Sequence, residues 1–563
     1  MHFKRSYSDS GKERFQVDES PAQPTQPGDE VRESAGDGTT AEQQILHGAA
    51  LWLCSLSLLL CMFLVSLDQT IVATLLATVG DKFNDFGKIS WISAGFLLPT
   101  AVLLPSWGKI SLIFGRRYTM VSAVILFEAG SLMCALANSM DVLIGGRVLA
   151  GVGGGGIQIM VLVIMTEIVK IEKRGIAQGV IGAAFGIASI VGPLVGGAFT
   201  SHVSWRWCFY INLPLGGVAL LFFLLFFHPP MPKGNIKQKL LMIDYIGTVL
   251  LSGGLVLVLL ALSLGSTNEP WDSAIVISFF VVGGVILIVF CAYNFMWSKN
   301  PIIPWRVVKV FTVLTPSLAM FFIFGAFMAG VLYLATYFQV VRHADAMQSG
   351  IDLLPMIISV VILAITGGIL ITVTKYTKPV AIVGSAISCI GFGVLTLLDE
   401  DSSAGERIGL LILPGVGIGC MFQSSVLSAQ TAAPKDEGGV ILATTFVGFT
   451  RSVGGAIGAA IGQTIQSVVF TTRLAKLNLP LPPESYLASP ELIEQLPVEV
   501  EAEVINAFVA GYQRVMYFCL AFALCCFIST LFFTNKLIPV TPHKQKQKPF
   551  DEEKAVEPDR QDD

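Results

Sequence analysis

Apolar stretches that are long enough to cross a lipid bilayer recur along almost the whole chain. A transmembrane helix needs about 20 predominantly apolar residues. The sequence of 563 residues holds fourteen such stretches, near 51–78, 90–110, 118–138, 142–168, 175–200, 208–228, 243–264, 274–297, 313–338, 350–373, 379–398, 408–432, 440–468 and 514–535. Only 13% of the residues are charged, whereas about a quarter are charged in a soluble domain. The pattern predicts an all-α polytopic membrane protein.

The basic residues alternate between the loops in a way that agrees with fourteen spans. Positive residues mark the cytoplasmic side of a membrane, and most of them lie in the loops that follow even-numbered spans. An even number of spans then places both termini in the cytoplasm. The loop residues concerned are Lys109, Arg116, Arg117, Lys170, Lys173, Arg174, Lys233, Lys237, Lys239, Lys299, Arg306, Lys309, Lys375, Lys378 and Lys435.

Two loops that resemble each other indicate a duplicated architecture. The loops at 108–117 and 368–378 both begin at a glycine and end in basic residues, as expected of a transporter built from two repeats. The polar ends of the chain cannot bury enough apolar surface to fold. The expected segments are a disordered cytoplasmic tail at 1–48, a six-helix bundle at 49–228, two inserted helices at 229–300, a second six-helix bundle at 301–537 with an extracellular loop at 471–512, and a cytoplasmic tail at 538–563.

The fifth span is rich in glycine, and it carries the first resemblance to a known family. Small residues three or four apart let helix backbones approach closely, and ordinary helix packing would also explain them. Pro193 removes one hydrogen bond from this helix and predicts a bend. The residues Gly186, Gly192, Pro193, Gly196 and Gly197 resemble the antiporter motif of the major facilitator superfamily. The following segment 205–216, WRWCFYINLPLG, resembles the fourteen-span drug/proton antiporter branch, which implies two six-helix bundles plus two extra central helices.

Two charged residues lie deep within predicted spans, where charge is costly and indicates function. Asp68 lies beyond the middle of the first span, and Arg147 lies in the fourth. A carboxylate in a low dielectric can exchange a proton near neutral pH, and a permanently charged arginine can attract it. Both positions resemble motifs of the same antiporter branch, which implies a proton-coupling pair. The alternatives are a structural hydrogen bond for Asp68 and a clamp on backbone carbonyls for Arg147.

The loop between the second and third spans resembles the cytoplasmic-loop motif of the superfamily, which implies a cytoplasmic gate. The family usually has an Asp four residues after the first glycine, and Leu112 occupies that position here. The arginines therefore need another partner, and Glu167 at the end of the fourth span is the expected one. The motif residues present are Gly108, Gly115, Arg116 and Arg117.

Polar and aromatic residues within the spans are candidates for a substrate cavity. The 37 phenylalanines suit a roomy apolar cavity with a few hydrogen-bonding groups, although many of them are expected to face lipid. Arg451 begins the thirteenth span and is expected to be an interfacial anchor or a partner for another helix. The candidate cavity residues are Glu128, Tyr333, Tyr337, Gln339 and Gln423.

The sequence argues against an enzyme, a metal site or a bound cofactor. The ten cysteines lie in or beside apolar stretches, and the six histidines are scattered, so neither set has metal-ligand spacing. The GxGxxG pattern at 151–156 lies within an apolar helix rather than after a strand, which argues strongly against a dinucleotide site. A phosphate-binding GxxxxGK[ST] loop is absent from the sequence, which argues against an ATP-driven pump.

The resemblance implies a transporter similar to fungal multidrug and toxin efflux pumps. We expect a monomer in the plasma membrane that exchanges protons for a small organic compound, with the lipid bilayer but no nucleic acid as a partner. A vacuolar carrier of basic amino acids or a siderophore exporter would use the same fold and remains open. A hypothesis from another functional class is a membrane sensor that does not transport, and the short tails argue against it.

Overall fold

The computed structural model describes residues 44–535 except for 84–87, 231, 233–234, 268–270, 345, 400–401, 436–437, 476–485, 487–492 and 494–495. Fourteen helices within these residues are long and apolar enough to cross a membrane, which confirms the predicted number of spans. The tail 538–563, most of the tail 1–48 and much of the loop 471–512 lie outside the described residues. The spanning helices are α1 Gly48–Ile71, α2 Ile89–Phe114, α3 Arg116–Ala135, α4 Met140–Ile168, α5 Arg174–His202, α6 Asn212–Phe226, α7 Tyr245–Thr267, α8 Ala274–Ala292, α9 Phe311–Arg342, α10 Leu354–Thr374, α11 Lys378–Val394, α12 Ala404–Ala432, α13 Gly439–Leu474 and α14 Val498–Thr530.

The ends of several helices follow from their capping residues. Ser139 and Ser273 accept hydrogen bonds from the backbone at the starts of α4 and α8. Ser403 and Glu406 form a reciprocal capping box at the start of α12, which satisfies two backbone groups that the helix itself leaves unpaired. Gly115 separates α2 from α3 and has a φ of 89°, a conformation that a residue with a Cβ rarely adopts.

The helices pack as two bundles with the same internal arrangement. In the first bundle α4 packs against α2 and α3, while α1 packs against α5 and α6. The same pairs recur eight helices later, where α12 packs against α10 and α11 and α9 packs against α13 and α14. The two bundles meet along α5 with α10 and along α2 with α13, which are also equivalent pairs. The two-bundle architecture expected from the sequence is confirmed.

The two inserted helices lie beside one of these two meeting lines. Helices α7 and α8 pack against each other, and α7 also packs against both α2 and α13. A shared apolar cluster holds this contact, with Val102 from α2, Leu251 and Leu255 from α7, Phe290 from α8 and Val453 from α13. Only 17% of the apolar window of α8 is buried within the protein, compared with 83% for α4, so α8 presents most of its surface to lipid.

The bundles touch at the end of the molecule where α2 joins α3, which we call the basic end. Gly175 at the start of α5 faces Gly368 of α10, and a Cβ on Gly175 would lie 2.7 Å from the Gly368 carbonyl oxygen. One turn further along, a Cβ on Gly179 would lie 2.7 Å from the Ala364 carbonyl oxygen. Glycine is needed at both positions because the two backbones are in direct contact. The path between the bundles is therefore closed at the basic end.

Candidate proton-coupling and substrate site

Asp68 and Arg147 form a buried ion pair between α1 and α4. Arg147 Nη1 lies 2.5 Å from Asp68 Oδ2, and the two side chains are 1% and 0% exposed. Arg147 Nε donates a second hydrogen bond, 3.0 Å long, to the Ile92 carbonyl oxygen. The guanidinium also lies 4.4 Å from the centre of the Phe96 ring, an arrangement that attracts a cation. The structure therefore brings together the two residues expected to couple to protons.

The other oxygen of Asp68 connects the pair to two further helices. Asn212 at the start of α6 lies with its amide nitrogen 3.3 Å from Asp68 Oδ1 and 3.0 Å from the Ser131 hydroxyl of α3. Asn212 and Ser131 are both fully buried. In the sequence, Asn212 stands out only as part of the 205–216 segment, and nothing there indicates its contact with Asp68. The Asp68 carboxylate thus joins α1, α4 and α6 directly and α3 through Asn212.

Glu128 lies in the same bundle, although the sequence analysis assigned it to the substrate cavity. Both of its carboxylate oxygens are buried and lack a hydrogen-bond partner within the described chain. The side chain packs against Gly216 of α6, where a Cβ would overlap the carboxylate. Asn212 and Gly216 are four residues apart and share one face of α6. On this face of α6, Asn212 therefore contacts Asp68, and Gly216, one turn further along, contacts Glu128.

The predicted contact between Arg116 and Glu167 is present at the basic end. Arg116 Nη2 lies 2.8 Å from Glu167 Oε1, and Arg116 Nε donates to both carboxylate oxygens at 3.1 and 3.2 Å. The side chains are only 1% and 8% exposed. Arg117 instead donates to the Leu224 carbonyl oxygen of α6 at 3.0 Å. The paired carboxylate on α4 thus supplies the partner that the loop itself lacks.

Replacing Glu167 with Gln should destabilise the folded protein. The variant leaves the charge of Arg116 buried and without its counterion, and breaking a buried ion pair in this way costs about 3–5 kcal/mol. We expect a clearly lower thermal unfolding midpoint for the purified protein in detergent. The double variant Arg116→Met, Glu167→Met should recover most of the loss, because it removes both buried charges together.

The exposed pair of Lys88 and Asp141 offers a matched control. Its ions are 2.8 Å apart, but the side chains are 46% and 76% exposed, and such pairs contribute only about 0–1 kcal/mol. Asp141→Asn should therefore leave the midpoint nearly unchanged. An equal effect of Asp141→Asn and Glu167→Gln would contradict a buried, stabilising pair at the basic end.

Residues of the loop motif also contact the second bundle. Gly108 packs against Thr445 of α13, where a Cβ on Gly108 would lie 2.9 Å from the Thr445 Cβ. Leu112 packs against Gly438, just before α13, where an added Cβ would lie 2.7 Å from its side chain. The side chain at position 112 therefore contributes an apolar contact between the bundles. Where the resembled loop motif usually has an acidic side chain, Leu112 therefore supplies an apolar contact that helps to hold the two bundles together.

A small polar layer closes the same region. The Thr166 hydroxyl of α4 accepts hydrogen bonds from Gln178 of α5 at 3.1 Å and from Gln430 of α12 at 3.2 Å. The same Gln430 amide lies 3.1 Å from the Thr444 hydroxyl of α13. All four side chains are buried. The hydrogen bond from Gln430 to Thr166 connects the two bundles directly and must break if the basic end opens.

The glycines of the antiporter motif have different surroundings. A Cβ on Gly192 would overlap the Thr70 hydroxyl and lie 3.2 Å from the Ile71 nitrogen, so Gly192 permits the contact of α5 with α1. Gly196 faces the same part of α1, whereas Gly186 faces α10 and Gly197 faces open space. Thr70 donates a hydrogen bond of 3.3 Å to the Ala188 carbonyl oxygen. Helix α5 continues through Pro193, which packs near Gly350 of the second bundle.

A cavity of about 40 Å³ lies between the two bundles. Phenylalanine and other apolar side chains form most of its wall, and Gln178, Ser189, Gln423 and Arg451 are its polar members. Arg451 lies more than three turns into α13, because a turn contains 3.6 residues. Of the two alternatives expected for Arg451, the interfacial anchor is therefore wrong, and the partner for another helix agrees with the structure. Its side chain faces the cavity and lies 5.1 Å from the centre of the Phe324 ring.

Of the five predicted cavity residues, only Gln423 lines this cavity. Tyr337 faces the interior of its own bundle, where it donates a hydrogen bond to the Asp399 carbonyl oxygen and its ring lies 5.1 Å from that of Tyr512. Tyr333 packs against Gly462 of α13. Gln339, like the two tyrosines and Glu128, is absent from the cavity wall. Among the described residues, no group of three or more His, Cys, Asp or Glu could hold a metal ion.

Comparison with known proteins places this architecture in a family. The model of the Major Facilitator Superfamily matches residues 58–459. Azole resistance protein 1 of Saccharomyces cerevisiae is 32% identical, and the match covers 89% of this chain and 91% of that protein. Vacuolar basic amino acid transporter 5 of the same yeast is 34% identical over 77% of this chain and 81% of its own length. Efflux pump aflT of Aspergillus parasiticus is 35% identical, with 82% and 93% covered.

The family model and the similar proteins both agree with the fold and with the resemblance found in the sequence. The family model covers most of the chain, and each of the three relatives is more than 30% identical over most of its own length. The chain therefore belongs to the major facilitator superfamily.

Proposed function

We propose that the protein exports amphipathic organic compounds in exchange for protons. Transport by this family of folds requires two bundles that move relative to each other around a central site. The cavity lies between the bundles, and its wall receives side chains from both of them. The proposed site is complete within a single chain, which supports a monomer as the working unit. No catalytic conversion of the substrate is part of the proposal.

The observation that carries the proposal is the buried network around Asp68. A buried ion pair is costly to desolvate, so its presence in a membrane helix indicates a role beyond stability. Met62 of α1 lines the cavity, and Asp68 lies less than two turns further along the same helix. A proton that binds Asp68 would release Arg147 and change the contacts of α1. This change would couple proton binding to the movement of a cavity wall.

The orientation follows from the distribution of basic loops. Positive residues favour the cytoplasmic side, so the basic end and both termini face the cytoplasm in our proposal. The closed basic end then corresponds to a state sealed from the cytoplasm. The relative named as an efflux pump supports export, and we place the protein in the plasma membrane.

The vacuolar relative makes transport of basic amino acids the second candidate. That relative, named a vacuolar basic amino acid transporter, is 34% identical to this chain. Lysine or histidine as a substrate carries a positively charged α-amino group and a basic side chain. In a cavity without water, these positive charges would require acidic partners. The described residues that line the cavity include an arginine and no Asp or Glu. The charge of the cavity therefore favours export of other organic compounds.

Transport into vesicles containing the reconstituted protein tests the proposal. The panel should include amphipathic drugs, lysine and histidine, each with and without a pH gradient across the membrane. We expect accumulation of at least one amphipathic compound that requires the gradient and disappears when an ionophore removes it. Accumulation that ignores the gradient would contradict proton coupling. Selective accumulation of lysine or histidine would instead favour the second candidate, transport of basic amino acids.

A further inference from the structure

Arg451 is a half-buried cation within a membrane helix, and no carboxylate of the described chain neutralises it. It makes no hydrogen bond or ion pair with the described part of the chain, and its Nε is buried without a partner. Its guanidinium lies over the ring of Phe324, 5.1 Å from the ring centre. By contrast, the buried arginines Arg116 and Arg147 each have a carboxylate partner. The charge of Arg451 is therefore available to a molecule in the cavity.

The surroundings of Arg451 define what such a molecule would look like. Phe185, Phe324, Phe327 and Phe422 line the same cavity, and aromatic faces bind flat apolar groups. Gln423 also lines it and makes no hydrogen bond within the described chain. A guanidinium binds a carboxylate more strongly and more specifically than it binds a neutral group. The wall thus combines one cationic group and one amide with a large aromatic surface.

The present cavity volume limits when binding can occur. A volume of about 40 Å³ exceeds the volume that one water molecule needs, but it is far below the roughly 300–1,000 Å³ of a site for a drug-sized ligand. An organic ligand therefore enters only when the bundles separate. In the closed state Arg451 faces a small, mostly apolar cavity and has no counterion among the described residues, which favours separation of the bundles or binding of an anion.

We propose that the central cavity binds amphipathic organic anions, with the carboxylate or enolate of the ligand on Arg451 and its apolar body among the phenylalanines. This inference rests on the proposed function and specifies its substrate class. Arg451 would orient and select the ligand, whereas the Asp68 network in the other bundle would respond to protons. The two roles can therefore be separated by experiment.

Three pyrene compounds with the same aromatic body test the substrate class. Pyrenebutyrate is an anion at neutral pH, pyrenebutanol is neutral, and pyrenebutyl-trimethylammonium is a cation. Their binding to the full-length protein in detergent can be measured by equilibrium dialysis. We expect the wild-type protein to bind pyrenebutyrate most tightly, and Arg451→Gln to weaken this binding about 30-fold, as expected for loss of a charge-assisted hydrogen bond. Binding of pyrenebutanol should change less than about twofold.

Two further variants serve as controls. Arg451→Lys keeps the charge but loses the planar fork, and it should retain part of the preference for the anion. Arg473 lies on the same helix and is exposed, so Arg473→Gln should bind all three probes like the wild type. Equal weakening of all three probes by Arg451→Gln would indicate damage to the cavity and would overturn the inference. The inference would also be overturned if the wild-type protein preferred the cation or failed to bind pyrenebutyrate. This second test does not depend on whether any variant folds.

Transport measurements separate this inference from the proposed function. Gradient-driven accumulation of a neutral or cationic compound, unaffected by Arg451→Gln, would keep the export function and reject the anion class. A wild-type protein that binds pyrenebutyrate but moves no compound in the drug panel under a pH gradient would reject the export function alone. Selective, gradient-driven transport of pyrenebutyrate that Arg451→Gln abolishes would support both.

Discussion

Vesicles that contain the Asp68→Asn variant should show no gradient-driven accumulation of substrate. An amide cannot bind and release the proton that the carboxylate exchanges, so the link between the proton gradient and the movement of α1 is lost. Exchange of labelled for unlabelled substrate without a gradient should continue, because the cavity wall itself is unchanged. The comparison requires equal amounts of folded protein in the vesicles. Retention of full gradient-driven accumulation would remove Asp68 from the coupling mechanism.

The stability of this variant must be separated from its coupling. Asp68→Asn leaves Arg147 buried without its counterion, at a cost of about 3–5 kcal/mol. The double variant Asp68→Asn, Arg147→Gln removes both charges and should recover stability without recovering coupling. Recovery of gradient-driven transport in the double variant would show that the pair is only structural.

Glu128→Gln provides the comparison for a second carboxylate in the same bundle. Both oxygens of Glu128 are buried without a hydrogen-bond partner in the described chain. If Glu128→Gln loses gradient-driven transport while Asp68→Asn keeps it, the proton carrier is Glu128 rather than Asp68. We expect the opposite result, because Asp68 is connected to three other helices. It accepts hydrogen bonds from Arg147 and Asn212, and Asn212 in turn donates to Ser131.

Replacing Gly192 with Leu should abolish export. A side chain at this position would overlap Thr70 and approach the backbone of Ile71, so α5 could no longer pack closely against α1. Both helices contribute to the cavity wall, and their separation would change its shape as well as the path to it. Gradient-driven transport of a known substrate by reconstituted protein is the measurement.

Gly197 offers a matched control within the same motif and helix. A Cβ on Gly197 would meet no atom within 4 Å, so Gly197→Leu should preserve transport. Leucine is also a better helix former than glycine by roughly 0.8 kcal/mol. Neither variant should therefore unfold α5, and a difference in transport between them would not be due to loss of this helix. Equal transport by Gly192→Leu and Gly197→Leu would contradict the importance of the α1–α5 contact.

The sequence was sufficient to predict the spans because the bilayer imposes a direct rule on length and polarity. It also identified Asp68 and Arg147, since charge within an apolar stretch stands out on its own. The partner of Arg116 was predictable for a related reason. The departure at Leu112 showed that the loop lacked its usual acid, and Glu167 lay at the same end of the neighbouring helix.

The cavity could not be predicted equally well, because hydropathy does not show which way a helix face points. Tyr333 and Tyr337 lie four residues apart on one face of α9, and that face packs within the second bundle. The face with Phe324 and Phe327 lines the cavity instead. Arg451 was misread because a charge in the first half of a long helix is compatible with either the interface or the core. Only the packing of the bundles distinguishes these cases.

The position of α7 also determines how a compound dissolved in the membrane can reach the protein interior. Since α7 packs across α2 and α13, it shields that junction from the fatty acyl chains. At the other junction, Ile187 of α5 and Ile362 of α10 are 48% and 51% exposed, so acyl chains can contact both helices. Lateral entry of a lipid-soluble compound would therefore be one-sided, along α5 and α10.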